Sequence, residues 1–142
     1  MKLFVDTWGW LTLRDKREAR HKEVSDFYHK FRLQGGSVYT TDYVLDETFT
    51  LLFKRLAFPQ AKESMEQLET AMATGHLQLE WITPERFART KAWRLRFEDK
   101  PRISFTDLSS MVVMEEMGIT TILTGDAHFE QVGLDLCIIS GT

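Results

Sequence analysis

Short apolar runs alternate with amphipathic stretches along nearly the whole chain, and this alternation limits the fold more than any other feature. Lys2 to Val5 reads as an interior strand. From Glu18 to Arg32, Val24, Phe27, Tyr28 and Phe31 recur at helical spacing, and Gly35-Gly36 ends that helix. Ser37 to Thr40 reads as a second strand. Thr41 or Asp42 caps the next helix, with a stripe of Leu45, Phe49, Leu52 and Leu56. Pro59 suits an early helical position ahead of Ala61, Met65, Leu68 and Met72, and Gly75 closes that helix. Leu77 to Ile82 alternates like a strand. Thr83-Pro84 reads as a cap and first-turn proline for a helix to about Phe97, and Ser104 as the cap of a helix to Met117, stopped by Gly118. Ile119 to Leu123 and Leu134 to Ile139 supply two more strands. Strands alternating with helices imply an α/β fold whose central parallel sheet, of about five strands, is covered on both faces. Sites in such sheets lie at the carboxyl ends of the strands.

The totals set outer bounds. A chain of 142 residues suits one domain spanning 1–142. With 43% hydrophobic and 27% charged residues it has an ordinary globular composition. No stretch approaches the roughly 20 apolar residues of a membrane helix, and the N-terminus lacks a signal-peptide pattern. The one cysteine, Cys137, lies in an apolar run and reads as a small buried hydrophobe; without a disulfide framework the expected compartment is the reducing cytoplasm. The net charge of -3 argues mildly against a nucleic-acid partner, yet basic residues cluster in RDKREARHK (Arg14 to Lys22) and ARTKAWRLR (Ala88 to Arg96). Either cluster equally reads as the solvated face of a helix.

Acidic residues fall where sites form. Asp6 ends the first strand, and Asp126 follows Ile119 to Leu123 after a short Thr-Gly step. Asp107 sits in the first turn of the helix that Ser104 caps, and Glu47 lies one turn into the helix after the second strand. Each alone has an ordinary explanation: helix-dipole partner for Asp107, turn former for Asp126, surface charge for Glu47. Asp6 is harder to dismiss, since a buried strand gains nothing by ending on an unpaired carboxylate. In a parallel sheet all four share one edge. Two carboxylates about 4 Å apart repel by roughly 4 kcal/mol at an effective dielectric near 20, so four in one cleft call for a cation. No lysine or arginine lies in the motifs immediately around Asp6, Asp107 or Asp126. Oxygen-only ligands favour magnesium or manganese.

VDTWGW near the N-terminus, Glu47 in VLDETFTLL, SFTD at Ser104 to Asp107, and LTGDAHFEQVG from Leu123 resemble, in order and interval, the motifs of the PIN-domain family, particularly its VapC-type toxins. The resemblance spans nearly the whole chain. It implies a three-layer α/β/α fold and an endoribonuclease dependent on Mg2+ or Mn2+. It places Asp6, Glu47, Asp107 and Asp126 on the family's acidic quartet, with Asp6 and Asp107 holding the principal ion and Glu47 and Asp126 binding it through water or helping to recruit a second; family members differ in whether the fourth acid, here Asp126, is a direct ligand. Thr7, Ser104 and Thr106 match supporting positions. Asp46 adjoins Glu47, and the pattern DETxxLL favours Glu47. The resemblance also implies a homodimer and a small antitoxin protein that silences the enzyme.

Other residues have two readings. Arg14, Lys16, Arg17, Arg94 and Arg96 are candidates for bringing RNA to an acidic cleft. Trp8 and Trp10 suit base stacking less well than core or partner contacts. His128 reads as a turn residue above a packed Phe129 rather than a ligand. Phe49, Leu52, Phe53, Leu56 and Phe58, with the helix around Met65 and Met72, form an apolar region suited to the core or to a partner helix. Two functional alternatives stand beside the toxin: a solitary ribonuclease of RNA turnover, and a non-catalytic PIN module that binds RNA or protein. A receiver-like or phosphatase-like domain needs an acidic pair or DxD near the first strand and a lysine after a later one, and DTW and TGD supply neither.

Overall fold

The computed structural model describes residues 1–125, Phe129 and the backbone of 137–139. The sheet is parallel throughout, with strands β1 (Lys2–Val5), β2 (Ser37–Thr41), β3 (Gln78–Glu80), β4 (Thr121–Leu123) and the short β5 (Cys137–Ile139) in the order β3-β2-β1-β4-β5. Four strands belong to the continuous stretch 1–125, and β5 is defined by its backbone pairing with β4. β1 is the centre of the sheet. Leu3, Phe4 and Val5 are fully buried, which is why this strand reads as a continuous apolar run instead of alternating.

Among the described residues six helices connect the strands: α1 (Thr7–Arg14), α2 (His21–Leu33), α3 (Asp42–Arg55), α4 (Phe58–Ala73), α5 (Pro84–Arg96) and α6 (Phe105–Met117). From β1 the chain steps outward to β2 and β3, then returns across the sheet to β4. Parallel crossovers are right-handed in almost all proteins, so reversing direction moves the helices to the other face. The contacts agree, since α1 packs on α2 and α3, α3 on α4, and α5 on α6. This is the α/β/α layering expected from the sequence. The reversal occurs between β1 and β4, where the carboxyl ends of adjacent strands diverge and leave a crevice.

The punctuation works largely as the sequence predicts. The side chains of Thr41, Thr83 and Ser104 accept hydrogen bonds from the backbone amides of Val44, Arg86 and Asp107, so all three are N-caps. Pro84 opens α5, and Gly118 ends α6 with φ of 67°, a left-handed conformation that favours glycine. Strands come out shorter than the apolar runs predict: β3 covers Gln78–Glu80 of the expected 77–82, and β4 covers Thr121–Leu123 of 119–123. Of the last expected strand, Cys137–Ile139 is observed, and 134–136 lie outside the described residues.

Two corrections concern the N-terminal third. The sequence gives no sign of α1, because a helix buried at Thr7, Gly9, Trp10, Leu11 and Thr12 shows no polar stripe to reveal its period. The predicted helix from Glu18 starts instead at His21, because Asp15 closes α1 and organises the intervening loop. Asp15 is buried, and its carboxylate accepts hydrogen bonds from the Arg17 amide (3.0 Å), Nε (3.0 Å) and Nη2 (3.1 Å). The Arg17 guanidinium holds the Asp15 carboxyl below its ordinary value. A carboxylate whose pKa is lowered by folding stabilises the fold above its unfolded pKa, and that contribution is lost as pH falls through the folded value. Asp15→Asn should therefore melt a few degrees below the unaltered protein at pH 7. In thermal melts the difference should close as the pH is lowered from about 4 towards 2.

On the opposite face, Arg86 fastens α5 to α6. Its Nη2 donates to Glu80 Oε1 (3.0 Å) and Glu116 Oε1 (2.9 Å), and Arg89 Nη1 donates to Glu116 Oε2 (2.9 Å). The Arg86 guanidinium lowers the pKa of Glu116. Among the described residues no helix is long and apolar enough to cross a membrane.

Candidate functional site

The crevice between β1 and β4 opens into a cleft of about 560 Å³. Three elements deliver carboxylates to it: Asp6 from the end of β1, Glu47 from α3 and Asp107 from the first turn of α6. Thr7 and Thr106 line the same cleft.

Asp6 is fixed most tightly. Strand β1 delivers it, and α1 begins on it: Oδ1 accepts a hydrogen bond from the Gly9 amide at 3.1 Å, making Asp6 the N-cap of α1. Its other oxygen, Oδ2, accepts a hydrogen bond from the Thr124 hydroxyl. The β1–β4 register pairs Val5 with Leu123, so the next residue on each strand, Asp6 and Thr124, emerge side by side. Cap and neighbour together hold the carboxylate in one orientation at the positive end of the α1 dipole. Only 5% of Asp6 is exposed, yet it lines the cleft, so one edge of a buried, preorganised carboxylate faces the opening.

Asp107 is positioned by the cap of its own helix, since its amide donates to Ser104 Oγ at 3.0 Å. Ser104 thus acts through the backbone and does not line the cleft. Glu47 is solvent-exposed on α3, and it lines the cleft where its neighbour Asp46 does not. Asp126 and His128 lie outside the described residues. Phe129 is fully buried in the core, as expected.

Trp10 serves packing, whereas Trp8 both packs and lines the cleft. Trp10 is 2% exposed, donates from Nε1 to Thr40 Oγ1 (3.1 Å) and meets Tyr28 edge-on. Trp8 is partly buried against the core and lies over Gly125, where an added Cβ would come within 2.7 Å of its ring. Residue 125 must be small for this reason. The apolar residues of α3 and α4 divide: Leu52 is buried, Phe49, Phe53 and Leu56 pack around it, and Phe58 is 67% exposed with its ring 5.4 Å from that of Phe53.

No protein-family model and no curated protein matches the chain. Solved structures do. VapC20 from Mycobacterium tuberculosis, described as a Sarcin-Ricin loop cleaving toxin, is 28% identical, with 93% of this chain and 95% of that one covered and a TM-score of 0.78. The fold also matches VapBC2 from Rickettsia felis bound to a DNA fragment from their promoter (14% identity, full coverage of both chains, TM-score 0.71). FitAcB from Neisseria gonorrhoeae shares it as well (14% identity, 96% and 95% covered, TM-score 0.63). The chain resembles the VapC-type PIN-domain toxins in fold, VapC20 among them.

Several residues at this cleft escape a reading of the sequence. Arg55, at the end of α3, lines the cleft and pairs with Glu18 at 3.6 Å, so a cation does stand among the acids. It follows Glu47 by eight residues, a spacing that returns to roughly the same side of a helix, and this was the signal available. Glu18 lines the cleft from a loop and left no pattern. Thr124 is the hydroxyl directly after β4, visible only once the β1–β4 pairing is known. Among the basic candidates, Arg94 is already committed: its guanidinium donates to the carbonyls of Phe97, Lys100 and Ile103 and closes the end of α5. Arg96 lies over the rings of Trp93 and Phe97.

Proposed function

We propose that this protein is a metal-dependent endoribonuclease, the toxin of a toxin–antitoxin pair, with the whole chain acting as one nuclease domain. The observation that carries the reading is the meeting of Asp6, Glu47 and Asp107, from three separate elements, on one cleft at the sheet's switch point. The likeness to a toxin described as cleaving the Sarcin-Ricin loop supports RNA as the substrate class.

A divalent ion fits the donor set. The acids and hydroxyls of the cleft offer only oxygen, the ligand preferred by Mg2+ or Mn2+. Among the described residues no three His, Cys, Asp or Glu side chains gather closely enough to enclose an ion by themselves. Magnesium sites of this kind use one or two carboxylates and keep several waters. Asp6 and Asp107 would be the protein ligands, with Glu47 and Asp126 acting through water. When bound, the ion lowers the pKa of water and neutralises charge on the scissile phosphate.

The chain's own residues do the rest. The Gly9 amide and the Thr124 hydroxyl hold the Asp6 carboxylate in one orientation, so no reorganisation is needed when substrate arrives. Glu47 or Asp126 orients the attacking water and takes its proton. In-line displacement of the 3′ oxygen leaves a 5′ phosphate and a 3′ hydroxyl. Thr7 and Thr106 support the carboxylates or the phosphate. Working in the cytoplasm, the enzyme would pair as a homodimer and be silenced by a small antitoxin, for which exposed Phe58 beside Phe53 offers an apolar foothold. The meeting of Asp6, Glu47 and Asp107 on one cleft favours the enzyme over a non-catalytic binding module.

Purified protein incubated with total cellular RNA should cut it in manganese and leave it intact in EDTA. Mapping the cut ends should show 5′ phosphates. Cleavage that persists in EDTA, or none in manganese, overturns the reading.

A further inference from the structure

A second cleft, of about 470 Å³, lies beside the first, between the end of α1, the loop after it and the N-terminal half of α4. Arg14 is half-buried there. Its Nε donates to Ser64 Oγ at 3.3 Å and its Nη2 to Gln67 Oε1, both neutral acceptors. Among the described residues no carboxylate comes within 4.0 Å of its guanidinium; Glu63, on the cleft wall, attracts it from farther away. Burial outweighs that attraction and pushes the Arg14 pKa down. Shielded guanidinium groups are normally paired, as Arg86 is with Glu80 and Glu116. Lys16 is exposed on the same cleft, whereas Arg17 is engaged by Asp15.

The two clefts adjoin through shared segments. Leu11, Thr12 and Arg55 line the acidic one; Leu13 to Arg17 and Leu56 line the other. Arg17 Nη2 donates to the Arg55 carbonyl at 2.9 Å and ties the two rims together. A polyanion leaving the acidic cleft past Arg55 next meets Arg14 and Lys16. A fixed, half-buried guanidinium with an exposed ammonium beside it suits a phosphate.

We propose that the cleft around Arg14 and Lys16 binds a backbone phosphate of the RNA strand that continues out of the acidic cleft. This rests on the ribonuclease reading above, and it adds a contact that holds substrate at a distance from the reacting atoms.

The test measures binding in an Asp6→Asn background, so that RNA is not consumed. A single-stranded RNA of about 20 nucleotides is titrated by fluorescence anisotropy at several salt concentrations, and each variant's thermal melt is recorded. Arg14→Gln/Lys16→Gln should bind at least about 10-fold more weakly than the background. A control removing two charges that line neither cleft, Lys22→Gln/Lys30→Gln, should lose less than about 2-fold. The slope of log affinity against log salt should fall by about 0.7, the value for one phosphate contact on a single strand. Arg14 also joins α1 to α4, so Lys16→Gln alone, at an exposed position, covers the case of a misfolded double variant and should cost about 3-fold. If the charge-reduced variants bind RNA like the control, the inference is overturned. It is equally overturned if they keep RNA affinity but lose binding of poly-glutamate, which would make the cleft a seat for protein carboxylates. A protein that cuts RNA in manganese while these variants bind normally loses this inference alone; one that neither cuts nor binds RNA loses both.

Discussion

Asp6→Asn should abolish RNA cleavage, by about 10³-fold or more, while leaving the fold intact. The two effects separate because the proposed function gives Asp6 a second task beside its capping role. As N-cap of α1 it accepts the Gly9 amide, and asparagine caps helices about as well as aspartate. The Thr124 hydroxyl, which donates to the carboxylate, can accept from the Nδ2 of an asparagine in its place. The melting temperature should therefore move by no more than about 2 °C. The charge is lost, and with it the affinity for a hard cation and the anionic end of the site. Asp6→Ala removes both tasks, and stability should then fall by roughly 1 kcal/mol from the missing cap. Melting and cleavage measured side by side on the two variants distinguish the roles. If Asp6→Asn retains a tenth of the activity or more, Asp6 is a structural cap and nothing else.

Those two tasks also explain what a sequence shows and what it hides. Asp6, Asp107 and Glu47 stand out because each sits at a place set by local rules: the end of a strand, the first turn after a cap, one turn into a helix. Thr41, Thr83 and Ser104 are legible for the same reason, since a cap is decided within four residues. Thr124 and Arg55 belong to the site through long-range packing. Thr124 touches Asp6 across 118 residues of chain, by way of a β1–β4 pairing that only the assembled sheet specifies. Helix α1 was hidden by its burial, because the stripe that marks an amphipathic helix requires a wet side. The basic clusters show the limit from the other direction. Arg14 and Arg94 look alike in sequence, yet one borders a cleft and the other is spent on three backbone carbonyls.

Gly9→Ala should destabilise the protein by about 3 kcal/mol and lower its melting temperature by roughly 10 °C. Local propensity predicts the opposite sign. Gly9 lies within α1, and alanine is favoured over glycine in a helix interior by about 1 kcal/mol. Packing decides the outcome. A Cβ at Gly9 would come within 2.7 Å of Val5 Cγ1 and 2.8 Å of the Leu123 carbonyl oxygen. The first is a fully buried side chain in the central strand, and the second belongs to the backbone of β4, which also accepts the Asp6 amide at 3.3 Å. Neither has room to retreat, so α1 itself must lift from the sheet. That motion pulls on Asp6, whose Oδ1 is held by the Gly9 amide, and on Trp10, whose indole is bonded to Thr40. At Gly9 the α1 backbone packs directly against β1 and β4, and this explains a glycine between two tryptophans better than any need for flexibility. Because the same displacement shifts Asp6, cleavage by the folded Gly9→Ala protein at low temperature should drop as well, by about 10-fold or more. Gly75→Ala, at a positive-φ position with open space around its Cβ, is the contrasting variant: its strain is confined to the turn after α4, so it should lose stability without losing activity. A stable, fully active Gly9→Ala protein would show that α1 is not seated against β1 and β4, and the preorganised Asp6 would go with it.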